Sequence, residues 1–352
     1  MDKRPLDLLK TLIAIPSFSK EEDKTAGAIA AFLDSHGVVS ERWMNNIWAV
    51  NRYFRSDLPT LLLNSHHDTV KPAPGWTKDP FAPIVEADKL YGLGANDAGG
   101  SLVALTAAFL HFYDRQDLPF NLLLAATAEE EISGANGVAA LLPRLPKISA
   151  GIVGEPTLLQ PAVAEKGLMV VDGEAKGKAG HAARDEGVNA IYIALEDAAA
   201  IKNFCFDKIS PLLGAVKATV TQIAAGVQHN VVPDLCKFVV DVRSNERYTN
   251  KEILQLLQEK TTSTLTARSF RLNSSSIRLD HPLVQKALAL GLTPFGSPTL
   301  SDQALMDFPT IKLGCGDSAR SHTADEFIYL EEIERGVALY IRLLEGLELA
   351  SA

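Results

Sequence analysis

The chain reads as an α/β protein in which a doubly wound, mixed-sheet domain is interrupted by a ferredoxin-like α+β module. Two observations predict this. Over the first 165 residues, short apolar runs of strand length alternate with stretches of helical spacing, the rhythm of a sheet covered by helices on both faces. After Gly167 the order becomes strand, helix, strand, strand, helix, strand, which is the β-α-β-β-α-β succession of a ferredoxin-like module.

Residues 6–15 and 20–35 carry apolar positions at helical spacing, and Gly37 stops the second helix. Strands are expected at 47–53 and 60–63, then a helix at 99–113, which is rich in Leu and Ala. Strands at 120–126 and 150–153 flank a shorter helix near 135–142. The module follows with a strand at 168–175, a helix at 189–203, strands at 216–224 and 236–242, a helix at 251–262 and a strand at 269–273. A helix at 281–289, a strand at 310–313 and a helix at 330–344 resume the opening architecture. The second domain therefore reads as inserted: residues 1–165 and 279–352 form one domain, and 166–278 the other. There is no internal repeat and no low-complexity linker.

At 352 residues, 47% hydrophobic and 22% charged, the chain has enough apolar surface for two domain cores. A net charge of -9 opposes binding to a phosphate backbone, and no basic cluster in the sequence offsets it, so nucleic acid is excluded as a partner. No apolar stretch approaches the roughly 20 residues needed to cross a bilayer. Met1-Asp2-Lys3-Arg4-Pro5 leads into an amphipathic stretch rather than a signal peptide, so the expected compartment is the cytoplasm, without membrane association. Cys205, Cys236 and Cys315 are too widely spaced for a disulfide framework or a cysteine zinc site.

The residues that carry chemistry are His66, Asp68, Asp97, Glu130, Glu131, Glu155 and His322. Nearly all sit where an apolar run gives way to polar, glycine-rich sequence. In an open α/β sheet the carboxyl edge is where ligands bind, so these groups are expected to converge although far apart in the chain. Imidazoles and carboxylates are ligands for zinc and similar cations, and a bridging carboxylate can hold two of them. The pattern reads as a two-metal hydrolase. In His66-x-Asp68 the side chains share a face of an extended segment, which lets Asp68 accept the second ring N–H of His66 and orient it rather than bind metal. Glu130 and Glu131, taken as extended, point to opposite faces, so one can ligate while the other holds a proton. A lone strand-end histidine is more often a structural hydrogen-bonder, and His36, His111, His229 and His281 are read so. Asp325 and Glu326 could cap the segment that follows them. Gly92-x-Gly94 lacks the third glycine of a dinucleotide loop, and no Gly-x-Ser-x-Gly elbow or activated cysteine supplies a nucleophile.

These motifs, in this order, resemble the M20 family of co-catalytic zinc amidohydrolases, most closely its acetylornithine deacetylase and succinyl-diaminopimelate desuccinylase branch. The resemblance runs over essentially the whole chain. It is carried by Ser65-His66-His67-Asp68-Thr69-Val70, Gly92-Leu93-Gly94-Ala95-Asn96-Asp97-Ala98-Gly99-Gly100, Thr127-Ala128-Glu129-Glu130-Glu131, Gly154-Glu155-Pro156-Thr157, Gly177-Lys178-Ala179-Gly180-His181-Ala182-Ala183 and Ser321-His322-Thr323-Ala324-Asp325-Glu326. It implies that His66 and Glu155 hold one divalent cation, Glu131 and His322 the other, and that Asp97 bridges them, with zinc the expected metal and cobalt the alternative. The run Glu129-Glu130-Glu131 admits more than one register; aligning Glu129 with the family's preceding aspartate makes Glu130 the general base.

By the same resemblance the inserted module is a lid and dimerisation domain, expected to form a homodimer. His181 matches a histidine that donates to the developing oxyanion, and Asn230 and Arg243 match substrate-contacting positions. Ser65, Leu93 and Ala98-Gly99 depart from the family pattern at a glycine, a basic residue and Met-Lys, and none of these removes a ligand. The expected activity is removal of an acetyl or succinyl group from an N-acylated amino acid, foremost N-acylornithine in arginine biosynthesis. The alternatives are N-acetylcitrulline, N-acetyl-lysine or succinyl-diaminopimelate deacylation, dipeptide hydrolysis, and a non-catalytic binding relative.

Overall fold

The computed structural model describes residues 4–349, so the opening segment read against a signal peptide falls outside the described residues at positions 1–3. The chain divides into two compact units. Met1–Val163, Ile277–Phe295 and Ser301–Ala352 form the first, and Ala164–Ser276 with Gly296–Leu300 the second.

In the first unit, strands lie in the spatial order Glu41–Trp43, Asn46–Val50, Asn121–Thr127, Thr60–His66, Ala150–Val153, Thr310–Lys312 and Ala162–Glu165, the last of which carries the chain into the second unit. Asn121–Thr127, Thr60–His66, Ala150–Val153 and Thr310–Lys312 are mutually parallel, so their carboxyl ends share one edge. Asn46–Val50 and Ala162–Glu165 add antiparallel flanks and make the sheet mixed.

Burial on both faces explains why these strands are unbroken apolar runs instead of alternating ones. Leu61 and Leu63 belong to the core under the helices Arg4–Ile13, Gly100–Phe112 and Leu330–Leu344, whereas Leu62 packs with Leu123, Ala125, Leu141 and Ile148 on the other side. Gly100–Phe112 is apolar nearly all round because it is buried nearly all round, from Leu102 and Val103 to Phe109 and Phe112. The helix expected near 135–142 contracts to Val138–Leu141. The Glu129 carboxylate binds Asn136 through its backbone N–H at 3.2 Å and its side chain at 3.0 Å, which holds the preceding residues as a loop. Among the described residues no helix is long and apolar enough to cross a membrane.

The second unit is a four-stranded antiparallel sheet in the order Lys217–Ala225, Leu235–Arg243, Met169–Lys176, Thr264–Ala267. The strands alternate, and one face, including Met169, Val171, Phe238, Val240 and Val242, is buried against the helices Ala190–Asn203 and Asn250–Gln258. Asn189 caps the first helix through Ile191 N, and Thr249 with Glu252 forms a capping box on the second. The strand expected at 269–273 lies earlier, at Thr264–Ala267. Its helix ends at Gln258, and the Asp197 carboxylate accepts from Thr262 N at 2.8 Å and Ser263 N at 2.7 Å, turning the chain into the sheet sooner than the pattern suggests.

Gly173 is where the Phe238 ring lies against the neighbouring strand, and a Cβ there would fall 2.3 Å from ring carbons. Overpacking of this kind costs about 1–3 kcal/mol. Gly173→Ala is expected to lower the unfolding temperature and to speed amide exchange in Met169–Lys176 and Leu235–Arg243. Unchanged exchange in both strands would show that the ring is free to move away.

Candidate metal centre

His66 ends the strand Thr60–His66 and is almost wholly buried. Its Nδ1 lies 3.0 Å from the backbone carbonyl oxygen of Asp68, which can only accept, so Nδ1 carries the proton and Nε2 is left as a ligand atom. The Asp68 carboxylate is the more distant partner at 3.4 Å, so the expected orientation of His66 is supplied chiefly by the backbone of Asp68. Nε2 faces Asp97 Oδ1 at 3.4 Å, Glu155 Oε1 at 3.7 Å and Glu130 Oε2 at 4.0 Å.

Asp97 lies in the irregular turn Ala95–Gly99 that leads into the helix Gly100–Phe112. Its second oxygen, Oδ2, faces His322 Nε2 at 3.6 Å, and that nitrogen is 3.0 Å from Glu131 Oε2. One carboxylate thus turns its two oxygens towards two different imidazoles. Ligand atoms of His66, Asp97 and Glu131 lie within 4.8 Å of one another, as do those of His66, Glu130 and Glu155. His322 adopts a left-handed φ of 58°. Its segment is tied to Asn96, whose amide donates to Asp317 O at 3.0 Å and Ser321 Oγ at 3.3 Å.

Glu130 and Glu131 are not extended. Glu129 has a φ of 55° and the next three residues, Glu130–Ile132, form a single 3-10 turn. The Asp68 carboxylate holds this turn by accepting from Glu130 N at 3.0 Å and Glu131 N at 3.2 Å, and it also takes the Ser19 hydroxyl at 2.7 Å. The consequence drawn from opposite faces survives in another form, since Glu130 is turned towards His66 and Glu131 towards His322. Glu129, with its carboxylate on Asn136, is absorbed by the loop.

The electrostatics are those of an acid-rich cavity. Burial pushes the Glu155 carboxyl up to about 8 and raises Glu130 well above the carboxylate range. Burial alone would lower His66, but hydrogen bonds to Asp68 and Asp97 and the charges of Glu155 and Glu130 carry it well above the ordinary imidazole value. The hydrogen bond to Glu131 raises His322 to about 9. Charge that favours a proton on these nitrogens also favours a cation beside them. Glu155 Oε1 is a buried carboxylate oxygen without a hydrogen-bond partner, a costly state that coordination would relieve. Oxygen and imidazole donors in this number suit divalent cations such as zinc.

Two buried acids support the site in roles the sequence does not reveal. Glu326 does not cap the segment after it. It accepts from Asn96 N at 2.8 Å, Asp97 N at 3.0 Å and Gly94 N at 3.1 Å, so it frames the turn that presents Asp97. Asp325 instead binds Thr77 and Lys78. Asp302 accepts from Asn64 at 2.9 Å and Thr127 at 2.8 Å beneath the strand ends. The departures at Ser65 and Gly99 are accommodated. Ser65 donates to Gly154 O at 2.8 Å, and a Cβ at Gly99 would lie 2.5 Å from Gly94 O. Leu93 is buried.

The other sequence-derived residues lie in the second unit. His181, in Gly180–His181, is the register partner of Val231, and Ala182 N donates to Asn230 O at 2.9 Å, so His181 and Asn230 are neighbours. Arg243 ends Leu235–Arg243, at the opposite end from Asn230, with its guanidinium on Asp241. His281 caps Pro282–Ala289, and His36 bonds the Phe32 carbonyl, both structural.

Residues 62–346 match the profile of Peptidase family M20/M25/M40. The chain is 30% identical to the acetylornithine deacetylase of Proteus mirabilis over 98% of its own length and 97% of that protein. It is equally 30% identical to the succinyl-diaminopimelate desuccinylase of Xylella fastidiosa strain 9a5c, over 72% of each chain. Its fold matches that of a Bacillus subtilis protein described as a dinuclear metal binding peptidase, with a TM-score of 0.75, 16% identity and 97% coverage of both chains.

Removing the Glu326 carboxylate would leave the N–H groups of Gly94, Asn96 and Asp97 without their acceptor. Glu326→Ala is therefore expected to destabilise the protein by about 1–3 kcal/mol in denaturant titration and to reduce metal content, with Glu326→Gln milder. Full metal content and stability in Glu326→Ala would show that the Asp97 turn holds itself.

Proposed function

The chain belongs to Peptidase family M20/M25/M40 and is a metal-dependent amide hydrolase, and from that premise we propose that it removes an acetyl or succinyl group from the amino nitrogen of an N-acylated amino acid. The leading substrate is an N-acylornithine in arginine biosynthesis. The observation that carries this reading is the placement of Asp97 between His66 and His322, one oxygen towards each. The deacetylase and desuccinylase names of its relatives support the substrate class and leave both acyl groups in play.

In this reading His66 and Glu155 would hold one divalent cation and Glu131 and His322 the second, with Asp97 shared between them, zinc preferred and cobalt the alternative. Bound cations supply Lewis acidity, acidifying water and polarising the amide carbonyl. Glu130 takes the proton of the attacking water and returns it to the leaving amine, so that water adds across the C–N bond and gives a carboxylic acid and an amine, which ionise to carboxylate and ammonium. Asp68 keeps His66 in one tautomer and holds the backbone of Glu130 and Glu131 in place. His181 donates to the oxyanion of the tetrahedral intermediate, while Asn230 and Arg243 bind substrate, Arg243 through a free α-carboxylate. The second unit acts as lid and homodimer contact, and the enzyme works in the cytoplasm.

Chelation should abolish turnover, and added zinc or cobalt should restore it. Glu130→Ala should keep its metal yet lose on the order of a hundredfold or more in kcat, whereas Glu131→Ala should lose metal. Metal analysis beside steady-state rates distinguishes them, and exchanged phenotypes would reverse the roles of the two glutamates. His181→Ala should lose about 100-fold to 1000-fold in kcat at full metal content. Wild-type kcat in that variant would remove His181 from the chemistry.

A further inference from the structure

The turn that carries Glu130 and Glu131 is built by side chains that lie far from it in the chain. Four successive N–H groups, running from the end of the strand Asn121–Thr127 into the turn, each donate to a side-chain oxygen. Ala128 N donates to Asn46 Oδ1 at 3.0 Å and Glu129 N to Glu22 Oε1 at 3.2 Å. Asp68 takes the next two, through Oδ1 and Oδ2. Asp68 also lies against His66, whereas among the described residues Glu22 reaches the site only through the backbone of Glu129.

Glu22 precedes the helix Asp23–Ser35 and is wholly buried. Its backbone oxygen takes Ala26 N at 2.9 Å, which fixes its main chain to the first helical turn, while its carboxylate caps nothing in that helix. Oε1 is shared between Glu129 N and Lys20 N, the latter at 2.6 Å and from a residue with a left-handed φ of 79°. Oε2 takes the side-chain amide of Asn45 at 2.8 Å. Asn45 is held in turn. Arg42 Nη2 donates to its Oδ1 at 3.0 Å, and His67 donates from Nε2 to its backbone oxygen at 2.9 Å, since a carbonyl can only accept. A carboxylate so gripped is a fixed point, and Glu129 is tied to it. Glu129 has a left-handed φ of 55°, unfavourable for a residue with a side chain, and its buried N–H would lose this acceptor with Glu22. Rotation at Glu129 would re-aim the two residues that follow, Glu130 towards His66 at 4.0 Å and Glu131 towards His322 at 3.0 Å.

We infer that Glu22 is a positioning residue: it holds the left-handed backbone of Glu129 and so aims the carboxylates of Glu130 and Glu131 from 107 positions away. As a statement about metal and turnover this rests on the roles given above to those two glutamates. His66 and Asp97 are held by other contacts, the Asp68 carbonyl and Glu326. The effect of Glu22 therefore falls on the general base and on the cation assigned to Glu131 and His322, and spares the cation assigned to His66 and Glu155.

The test compares Glu22→Ala, Glu22→Asp and Glu22→Gln with Asn121→Ala. The last removes hydrogen bonds to Arg55 O at 2.8 Å and Leu58 O at 3.2 Å, at the far end of the strand that leads to the turn. Zinc titration of the metal-free protein against a competing chelator should show one site weakened about tenfold or more in Glu22→Ala and the other within about twofold of wild type. Amide exchange at Glu130 and Glu131 should be faster in the same metal-free variant. At saturating zinc, kcat should fall about tenfold or more with KM within about twofold, because substrate binding does not use the turn. Glu22→Gln keeps the length and an acceptor for Glu129 N, and should stay within about threefold of wild type in affinity and kcat. Glu22→Asp, shorter by a methylene, should show the same split at smaller size and decides the matter if Glu22→Ala does not fold. Asn121→Ala should lower the unfolding temperature and leave both affinities and kcat unchanged. Wild-type affinities and kcat in Glu22→Ala or, failing that, Glu22→Asp, or equal losses in Asn121→Ala, would overturn the inference and leave the deacylase reading standing. If the wild-type protein hydrolyses no acylated amino acid but the variants still lose one cation, Glu22 keeps its role and the deacylase reading fails.

Discussion

Everything at the metal centre depends on bringing Asp97, Glu130, Glu131 and Glu155 into one largely buried space beside His66 and His322. Burial first, and then the charge of neighbouring carboxylates, pushes Glu130 and Glu155 upward, so such a cluster would take up protons if left to itself. The fold sustains the arrangement by fixing backbone rather than by neutralising side chains. Asp68 takes the N–H groups of Glu130 and Glu131, and Glu326 takes those of Gly94, Asn96 and Asp97. Each supporting acid is tied up in hydrogen bonds, and each acid left pointing inward is available as a ligand or as a proton carrier. That division of labour is what a two-cation hydrolase requires: ligands that cannot swing away and a base that is not itself spent on metal.

The parallel strands make the convergence possible. Asn121–Thr127, Thr60–His66, Ala150–Val153 and Thr310–Lys312 all end at one edge, and the loops leaving that edge carry Glu130 and Glu131, Asp68, Glu155 and His322. This much was legible in the sequence, because a strand buried on both faces is an uninterrupted apolar run and the polar residue that ends it marks the edge. His66 and Glu155 could be placed from their own short segments for that reason. The partners that hold them could not. Glu326 meets Gly94 across 232 positions and Asp302 meets Asn64 across 238, and neither pairing leaves a period or spacing to detect. The same cause accounts for the displaced strand at Thr264–Ala267, whose start is set by Asp197, 65 positions before Thr262. The 3-10 turn at Glu130–Ile132 was likewise hidden, because the left-handed Glu129 that begins it is set by contacts with Asn136 and Gly134, not by a turn-forming residue type.

The second unit shows the complementary economy. Its buried face is ordinary alternating apolar sequence capped by well-formed helix starts, and that is why the β-α-β-β-α-β order could be read directly. Its open face pairs Lys237 with Glu174 and Arg268 with Asp172, and sets Lys217 opposite Arg243.

The central claim is that Asp97 bridges two cations, one shared with His66 and Glu155 and the other with Glu131 and His322. Anomalous diffraction from crystals of the zinc-loaded protein tests it most directly. The account predicts two peaks about 3.5–4 Å apart, one on each side of the Asp97 carboxylate. A single peak at full occupancy, or a second peak away from Glu131 and His322, would contradict it.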